Sequence, residues 1–128
     1  MKRVTGLGGV FFRCNDKEAQ QAWYRDHLGI ASEDWGTTFR WREVDTEQVG
    51  YTVWGTFERD STYFEGPTML NYRVADMDAL VAALKQEGVE IIAGPVTEPN
   101  GKFAWIRDPE GNKVELWEPV PSDQDPYL

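Results

Sequence analysis

The sequence FAWIRDPEGNKVELWEP, residues 103–119, decides the fold of this chain. Its centre, residues 108–111 (DPEG), is a typical turn, because aspartate initiates turns, proline presets φ and glycine closes them. Beyond the turn the side chains alternate, so that Glu115 and Trp117 point to one face of a strand and Leu116 to the other. We therefore predict a hairpin with one apolar face and a second face where a single carboxylate lies among aromatic rings.

The carboxylate of Glu115 requires an explanation, because a buried charge without a partner is costly. One explanation is a solvated face or an ion pair with a nearby arginine. The other is that Glu115 forms part of the wall of a pocket. The sequence leaves both explanations open.

Composition and charge limit the classes of protein to consider. A chain of 128 residues predicts one domain, and six tryptophans can fill a core. The formal net charge of −9 argues against binding to nucleic acid or to anionic membranes. We expect no signal peptide and no membrane span, because neither pattern is present. The one cysteine, Cys14, excludes an internal disulfide and favours a cytoplasmic location.

The chain contains an internal repeat. Residues 10–13 followed by Asp16 have the same spacing as residues 70–73 followed by Asp76, and each pair predicts a strand, then a helix cap. Each unit also closes on a strand with a tryptophan, Trp54 or Trp117, which the repeat makes counterparts. We predict one α+β domain over residues 1–128, built of two βαβββ modules that form a cupped mixed sheet with helices on the outer face. The modules are predicted at about 5–58 and about 67–119, with residues 120–128 as an exposed tail.

The individual elements follow from periodicity and from turn residues. The first helix is predicted at 16–28, capped by Asn15, with Ala19, Ala22 and Trp23 facing inward. The second helix is predicted between Asp76 and Gly88, with an apolar stripe at Met77, Leu80, Val81 and Leu84. Further strands are predicted at 7–14, 37–44, 50–57, 69–74 and 89–92.

Three motifs resemble the vicinal oxygen chelate superfamily: residues 107–116 (RDPEGNKVEL), 19–29 (AQQAWYRDHLG) and 72–80 (YRVADMDAL). This superfamily contains glyoxalase I, extradiol dioxygenases, fosfomycin-resistance enzymes and bleomycin-resistance proteins. The resemblance covers residues 7–119. It implies a cupped sheet around one pocket, often in a homodimer, and we expect a homodimer here.

The resemblance also implies positions for a divalent metal on the concave face. Glu115 matches the family's glutamate ligand, whereas Gly9, Met69 and Thr52 stand at the other ligand positions. Because one carboxylate does not make a chelating site, we expect no metal and no other cofactor. The only histidine, His27, lies near the end of the first helix, where we expect it to pack or to be solvated.

Strand alternation predicts an aromatic cup with a few polar groups, which is the usual composition of a small-molecule site. Its aromatic walls would suit an aromatic or cationic ligand. Two alternatives stay open: the tryptophans fill the core, and Arg13 and Arg73 pair with surface acids. The candidate ligand-binding residues are Phe11, Arg13, Trp41, Thr52, Trp54, Met69, Asn71, Arg73, Phe103, Trp105, Glu115 and Trp117.

The sequence thus favours a metal-free protein that binds a small organic molecule. The alternative is an enzyme, either a lyase or dioxygenase-type member of the family or one that uses Glu115 as a general acid or base. A third hypothesis is a structural subunit with a filled cavity. We expect no nucleic-acid or membrane partner.

Overall fold

Across residues 2–128, which the computed structural model describes, the chain forms seven strands and two helices. Neither helix in this part of the chain is long and apolar enough to cross a membrane. The elements are β1 (Val4–Arg13), α1 (Lys17–Leu28), β2 (Gly36–Arg42), β3 (Val49–Phe57), β4 (Thr68–Val74), α2 (Met77–Gln86), β5 (Ile91–Glu98), β6 (Gly101–Arg107), β7 (Lys113–Pro119) and a 3-10 turn at Ser122–Gln124.

The strands form one open sheet in the order β2-β3-β1-β4-β7-β6-β5. The central strands β1 and β4 are antiparallel, and each pairs in parallel with the last strand of its own unit, β3 or β7. The predicted α+β class is therefore confirmed. The second unit has four strands and the first has three. The edge strand β5 has no counterpart among residues 2–66 beyond an isolated bridge between Glu33 and Gly36.

The helix α2 covers the outer face of the second unit. Asp76 caps it as predicted, since its side chain accepts a hydrogen bond from the Ala79 backbone N–H at 3.1 Å. One apolar stripe of the helix is buried against the sheet, as the periodicity predicts. The resulting core contains Val74, Met77, Leu80, Val81, Ala104 and Leu116.

The helix α1 packs more loosely than predicted. Its cap is Asp16 rather than Asn15, and none of its residues is buried. Trp23, predicted to face inward, is 51% exposed. Tyr24 and Gln21 face the sheet instead. The ring of Tyr24 contacts the ring of Trp54 at 5.1 Å between centroids, and the side chain of Gln21 donates to the hydroxyl of Thr56.

Two irregular segments cover the inner face, defined as the face of the sheet opposite the helices. Residues 58–67 bring Tyr63 to Glu115, and residues 120–128 bring Asp125 to Tyr51, whose hydroxyl donates to it at 2.8 Å. The prediction of an exposed tail is therefore wrong for Asp125, which is only 7% exposed. The inner face is thus a cup made of sheet and covering segments together.

Candidate functional site

Glu115 lies at the centre of the inner face and is 3% exposed. The strand register places it beside Asn71 of β4 and Trp105 of β6. The Asn71 side-chain N–H donates to Oε1 at 2.6 Å, the Trp105 indole N–H donates to Oε2 at 2.8 Å, and the Tyr63 hydroxyl donates to the same Oε2. These three neutral donors compensate the burial of the carboxylate, which is the role that the sequence had assigned to an arginine or to solvent.

The carboxylate of Glu115 can still accept one more hydrogen bond. An ionised carboxylate offers about four acceptor positions, and the three donors leave a position on Oε1. The amide oxygen of Asn71 is also buried and has no donor among residues 2–128. That oxygen faces Gly8 of β1, where a Cβ atom would lie 2.0 Å from it, so it is buried below the pocket.

Tyr63 is the donor to Glu115 that the sequence analysis did not single out, and it missed the lining residues Glu98, Pro99, Asn100 and Tyr127 as well. Its ring stacks on Phe57 with 5.4 Å between centroids. Burial, and then the charge of Glu115, raise the pKa of the Tyr63 hydroxyl above its usual range, so the hydroxyl keeps its proton and donates. The only signal in the sequence was the aromatic pair at residues 63–64 inside a polar connection.

Arg13 organises the segment that carries Tyr63. Its guanidinium donates to the backbone carbonyls of Ser61 at 2.5 Å and of Gly66 at 3.1 Å, and also to those of Arg59 and Phe64. The prediction that Arg13 lines the pocket is therefore wrong, and so is the alternative that it pairs with a surface acid. Its structural role is to hold residues 58–67 over the inner face.

Arg73 fills the far end of the inner face and is 7% exposed. Its guanidinium lies 4.9 Å from the ring centroids of both Trp41 and Trp117. Burial lowers its pKa, an effect that the charge of Glu43 opposes. Cation–π contacts hold this charge, so the hypothesis that Arg73 pairs with a surface acid is wrong.

Two predicted site residues of the first unit, Trp54 and Thr52, lie on the opposite side of β3. The ring of Trp54 contacts Phe12 at 5.0 Å between centroids, beneath α1. Thr52 alternates with the inner-facing Tyr51, and its hydroxyl accepts from the Trp41 indole N–H at 2.8 Å. The prediction is wrong because it treated Trp54 as the counterpart of Trp117.

A pocket of about 320 Å³ opens beside Glu115. No lysine or arginine is among the described residues that line it. The Lys113 ammonium lies nearby, 4.9 Å from the centroid of the Tyr63 ring. Of the predicted residues it brings together Phe103, Trp105 and Glu115, while Met69, Asn71 and Trp117 are buried beneath them. The lining consists of Tyr63, Glu98, Pro99, Asn100, Phe103, Trp105, Glu115 and Tyr127.

The inner face continues beyond this pocket. A cavity of about 190 Å³ shares Asn100 and Tyr127 with it and is otherwise lined by residues of the first unit. A third hollow of about 470 Å³ contains the predicted residue Phe11, together with Trp35 and Phe57. Aromatic side chains therefore line all three hollows, whereas acidic ones line only the first and the third.

The residues around Glu115 do not fit the divalent metal that the family resemblance implies. Gly9 and Met69 offer no ligand atom for a hard cation, and Thr52 faces away. Within residues 2–128, no three His, Cys, Asp or Glu side chains lie close enough to share an ion. Both oxygens of Glu115 also accept from neutral donors, which leaves about one acceptor position, whereas a divalent cation needs several ligand atoms. We therefore derive no chemistry through a metal.

Comparisons with known proteins agree with this architecture. The sequence model of the Glyoxalase/Bleomycin resistance protein/Dioxygenase superfamily matches residues 6–116. None of the curated proteins compared with the chain matches it.

Similar solved structures include two bacterial epimerases. A variant of Streptomyces coelicolor methylmalonyl-CoA epimerase in complex with 2-nitronate-propionyl-CoA has 18% identity and a TM-score of 0.68, over 91% of this chain and 99% of that one. Methylmalonyl-CoA epimerase from Mycobacterium tuberculosis has 25% identity and a TM-score of 0.59, over 92% and 90%. A Legionella pneumophila protein described as an NAD-dependent benzaldehyde dehydrogenase has 15% identity and a TM-score of 0.59, over 88% and 98%.

Proposed function

This chain belongs to the Glyoxalase/Bleomycin resistance protein/Dioxygenase superfamily, and we propose that it binds a small organic molecule with a cationic and an aromatic part, without a divalent metal. The observation that carries the proposal is the lining of the pocket beside Glu115. Four aromatic side chains and two carboxylates face it, and its described lining includes no basic residue. Aromatic faces attract cations, and a dry carboxylate strengthens that attraction.

The remaining acceptor position on Glu115 supports a ligand that carries an N–H donor. Oε1 of Glu115 accepts one hydrogen bond, from Asn71, and has an acceptor position to spare. An ammonium group could fill it, because it presents donors and no acceptor. The formal charge of −9 on the whole chain favours the approach of a cation in addition.

The same charge pattern separates this protein from its structural neighbours. The epimerase structures contain coenzyme A esters, which carry negatively charged phosphates. The pocket beside Glu115 has Glu98 at its edge and no lysine or arginine among its described lining residues to receive a phosphate. We therefore propose that acyl-coenzyme A esters are not its ligands.

The test is a titration with one-ring probes of different charge: the cations benzylammonium, which has N–H donors, and benzyltrimethylammonium, which has none, then benzyl alcohol and benzoate. We expect the cations to bind most tightly and benzoate least. Glu115→Gln should weaken benzylammonium by about 2 kcal/mol, or about 30-fold, because a charge-assisted hydrogen bond is lost. Glu110→Gln removes the same charge from the exposed turn of the same hairpin and should leave the affinity unchanged.

The proposal fails if no probe binds the native protein, or if benzoate and the cations bind equally. The role assigned to Glu115 is wrong if Glu115→Gln and Glu110→Gln have the same affinity for benzylammonium. Circular dichroism and urea unfolding of both variants show whether the fold is kept. Elemental analysis tests the metal-free part, and about one zinc, nickel, iron or manganese per chain after mild chelation would contradict it.

A second candidate function is an enzyme in which Glu115 moves a proton of the bound molecule. The specific observation is that Oε1 is free to accept while the Tyr63 hydroxyl holds Oε2, since a general base must lie within hydrogen-bond reach of the proton it removes. 2-Aminoacetophenone in heavy water tests this, because its carbon next to the carbonyl carries an acidic hydrogen. Exchange that the native protein accelerates and Glu115→Gln does not would support the enzyme.

We further propose that the protein forms a homodimer. The edge strand β2 exposes the side chain of Phe39, which is 47% exposed, and Trp35 precedes this strand at 50% exposed. An open edge with apolar side chains favours pairing with a second copy. Sedimentation should give a dimer at micromolar concentration, and Phe39→Asp should shift it toward the monomer. A native monomer at that concentration would contradict the proposal.

A further inference from the structure

We infer that Tyr127 determines the size of the ligand that the inner face accepts, and that the hydrogen bond between Tyr51 and Asp125 holds it in place. The inference rests on the proposed function, since it concerns the same pocket. Residues 120–128, predicted to be an exposed tail, are the segment that carries both Asp125 and Tyr127.

The position of Tyr127 is the first observation. Its side chain lines both the pocket of about 320 Å³ beside Glu115 and the neighbouring cavity of about 190 Å³ beside Tyr51. The two cavities share only Tyr127 and Asn100 among their lining residues. The ring therefore forms a partition, and without it the two cavities would join across the inner face.

The attachment of residues 120–128 is the second observation. Asp125 is 7% exposed, and its two oxygens accept from the Tyr51 hydroxyl and from the Tyr127 backbone N–H, each at 2.8 Å. The second contact is an Asx turn across Pro126, which fixes the direction in which Tyr127 leaves the chain. The Val120 N–H donates to the Asn100 carbonyl at 3.2 Å and ties down the start of the segment.

Tyr51 is suited to hold this attachment. It is 2% exposed and its ring contacts Trp117 on the floor of the cup, with 5.2 Å between centroids. Burial, and then its contact with Asp125, raise the pKa of Tyr51, so its hydroxyl stays protonated and donates. Tyr127 itself is 59% exposed, so its position depends on the backbone that Asp125 anchors. The hydrogen bond from Tyr51 to Asp125 therefore fixes the segment from which the Tyr127 ring projects.

The position of the Tyr127 ring limits the size of the cation that can bind beside Glu115. A cation with one aromatic ring fits beside Glu115 without displacing Tyr127, whereas the longer, flat ring system of a three-ring cation would extend from that pocket toward the neighbouring cavity. The native protein should therefore prefer benzyltrimethylammonium over (9-anthracenylmethyl)trimethylammonium. The ratio of the two dissociation constants measures the size limit, and it separates the partition from the general attraction for cations.

The experiment measures this ratio in the native protein and in three variants. Tyr127→Ala should shift it at least tenfold toward the larger cation, and Tyr127→Phe, which keeps the ring, should leave it unchanged. Tyr51→Phe should shift it in the same direction as Tyr127→Ala by a smaller factor. Hydrogen–deuterium exchange without ligand should also show at least tenfold faster exchange at the Leu128 N–H, which bonds to the Asp125 carbonyl, in Tyr51→Phe.

Each outcome decides one part of the inference. If the native protein binds the smaller cation but Tyr127→Ala leaves the ratio within about twofold, the partition is wrong while the proposed function stands. If exchange at Leu128 does not change in Tyr51→Phe, the hydrogen bond is not the anchor. If neither cation binds the native protein, both the proposed function and the size limit fail.

Discussion

The last strands of the two units, β7 and β3, occupy equivalent places in the sheet but present different faces. On β7 the residue opposite Asn71 is Glu115, which points into the cup and meets three donors. On β3 the residue in the corresponding place, opposite Phe11, is Gly55. The tryptophan next to it, Trp54, points outward to α1. One half of the inner face is therefore polar at its centre, and the other half is apolar.

The ring of Phe11 accounts for the apolar half. A Cβ atom on Gly55 would lie 2.5 Å from the Phe11 ring, and one on Gly9 would lie 2.9 Å from it. The two glycines thus leave the space that the ring occupies, whereas the second unit has Asn71 in the place of Phe11, Met69 in that of Gly9 and Glu115 in that of Gly55. Equivalent residues in the two units are therefore identified by the pairing of β3 with β1 and of β7 with β4. The occurrence of a tryptophan in both last strands, Trp54 and Trp117, does not identify them.

The largest expected effect concerns the two tryptophans that the sequence treated as equivalent. Trp117 is 2% exposed and contacts Tyr51, Phe103 and Arg73, so Trp117→Ala should lower the free energy of unfolding by about 4 kcal/mol. Trp54→Ala, on the outer face under a loosely packed helix, should cost about half as much. Urea unfolding measures both, and equal losses would contradict the distinction between the two faces.

A smaller effect is expected from filling the place of Glu115 in the first unit. Gly55→Ala should cost about 2 kcal/mol, because the added methyl group overlaps the Phe11 ring. Combining it with Phe11→Leu should recover part of that loss, since the smaller side chain frees space. A double-mutant cycle by urea unfolding checks the coupling. Additive losses would mean that Phe11 does not fill the place of Gly55.

The smallest effect concerns the donors around Glu115. Tyr63→Phe removes one hydrogen bond from a carboxylate that keeps two others, so it should cost about 1 kcal/mol of unfolding free energy. Trp105→Phe removes a different donor from the same oxygen and should cost a comparable amount. If Tyr63→Phe in the crystal leaves residues 58–67 in place and Glu115 unmoved but stability unchanged, the third donor contributes nothing.

Local sequence signals predicted much of the fold. The turn at residues 108–111, the cap at Asp76 and the apolar stripe of α2 are decided by neighbours within a few residues. The inner-face position of Glu115 followed from alternation along β7, because that strand is regular. These predictions hold because the physical cause lies in the same short stretch as the signal.

The remaining errors arise where the cause lies far away in the chain. The face of Thr52 and Trp54 depends on the register of β3 against β1, a strand whose pairing with β4 shifts between Leu7 and Gly9. The contact of Tyr63 with Glu115 spans 52 positions and that of Tyr51 with Asp125 spans 74. No local pattern at residues 58–67 or 120–128 indicates such partners. The sequence therefore predicted a connection between the modules at the first segment and an exposed tail at the second.

The most direct test of the account asks which half of the sheet binds the ligand. Benzyltrimethylammonium is titrated against the native protein, Trp105→Phe and Trp54→Phe, with the dissociation constant measured by calorimetry. We predict that Trp105→Phe weakens binding about tenfold, because a phenyl ring attracts a cation less strongly than an indole ring, whereas Trp54→Phe leaves the constant within about twofold. Weaker binding in Trp54→Phe with unchanged binding in Trp105→Phe would contradict the assignment of the site to the polar half of the inner face.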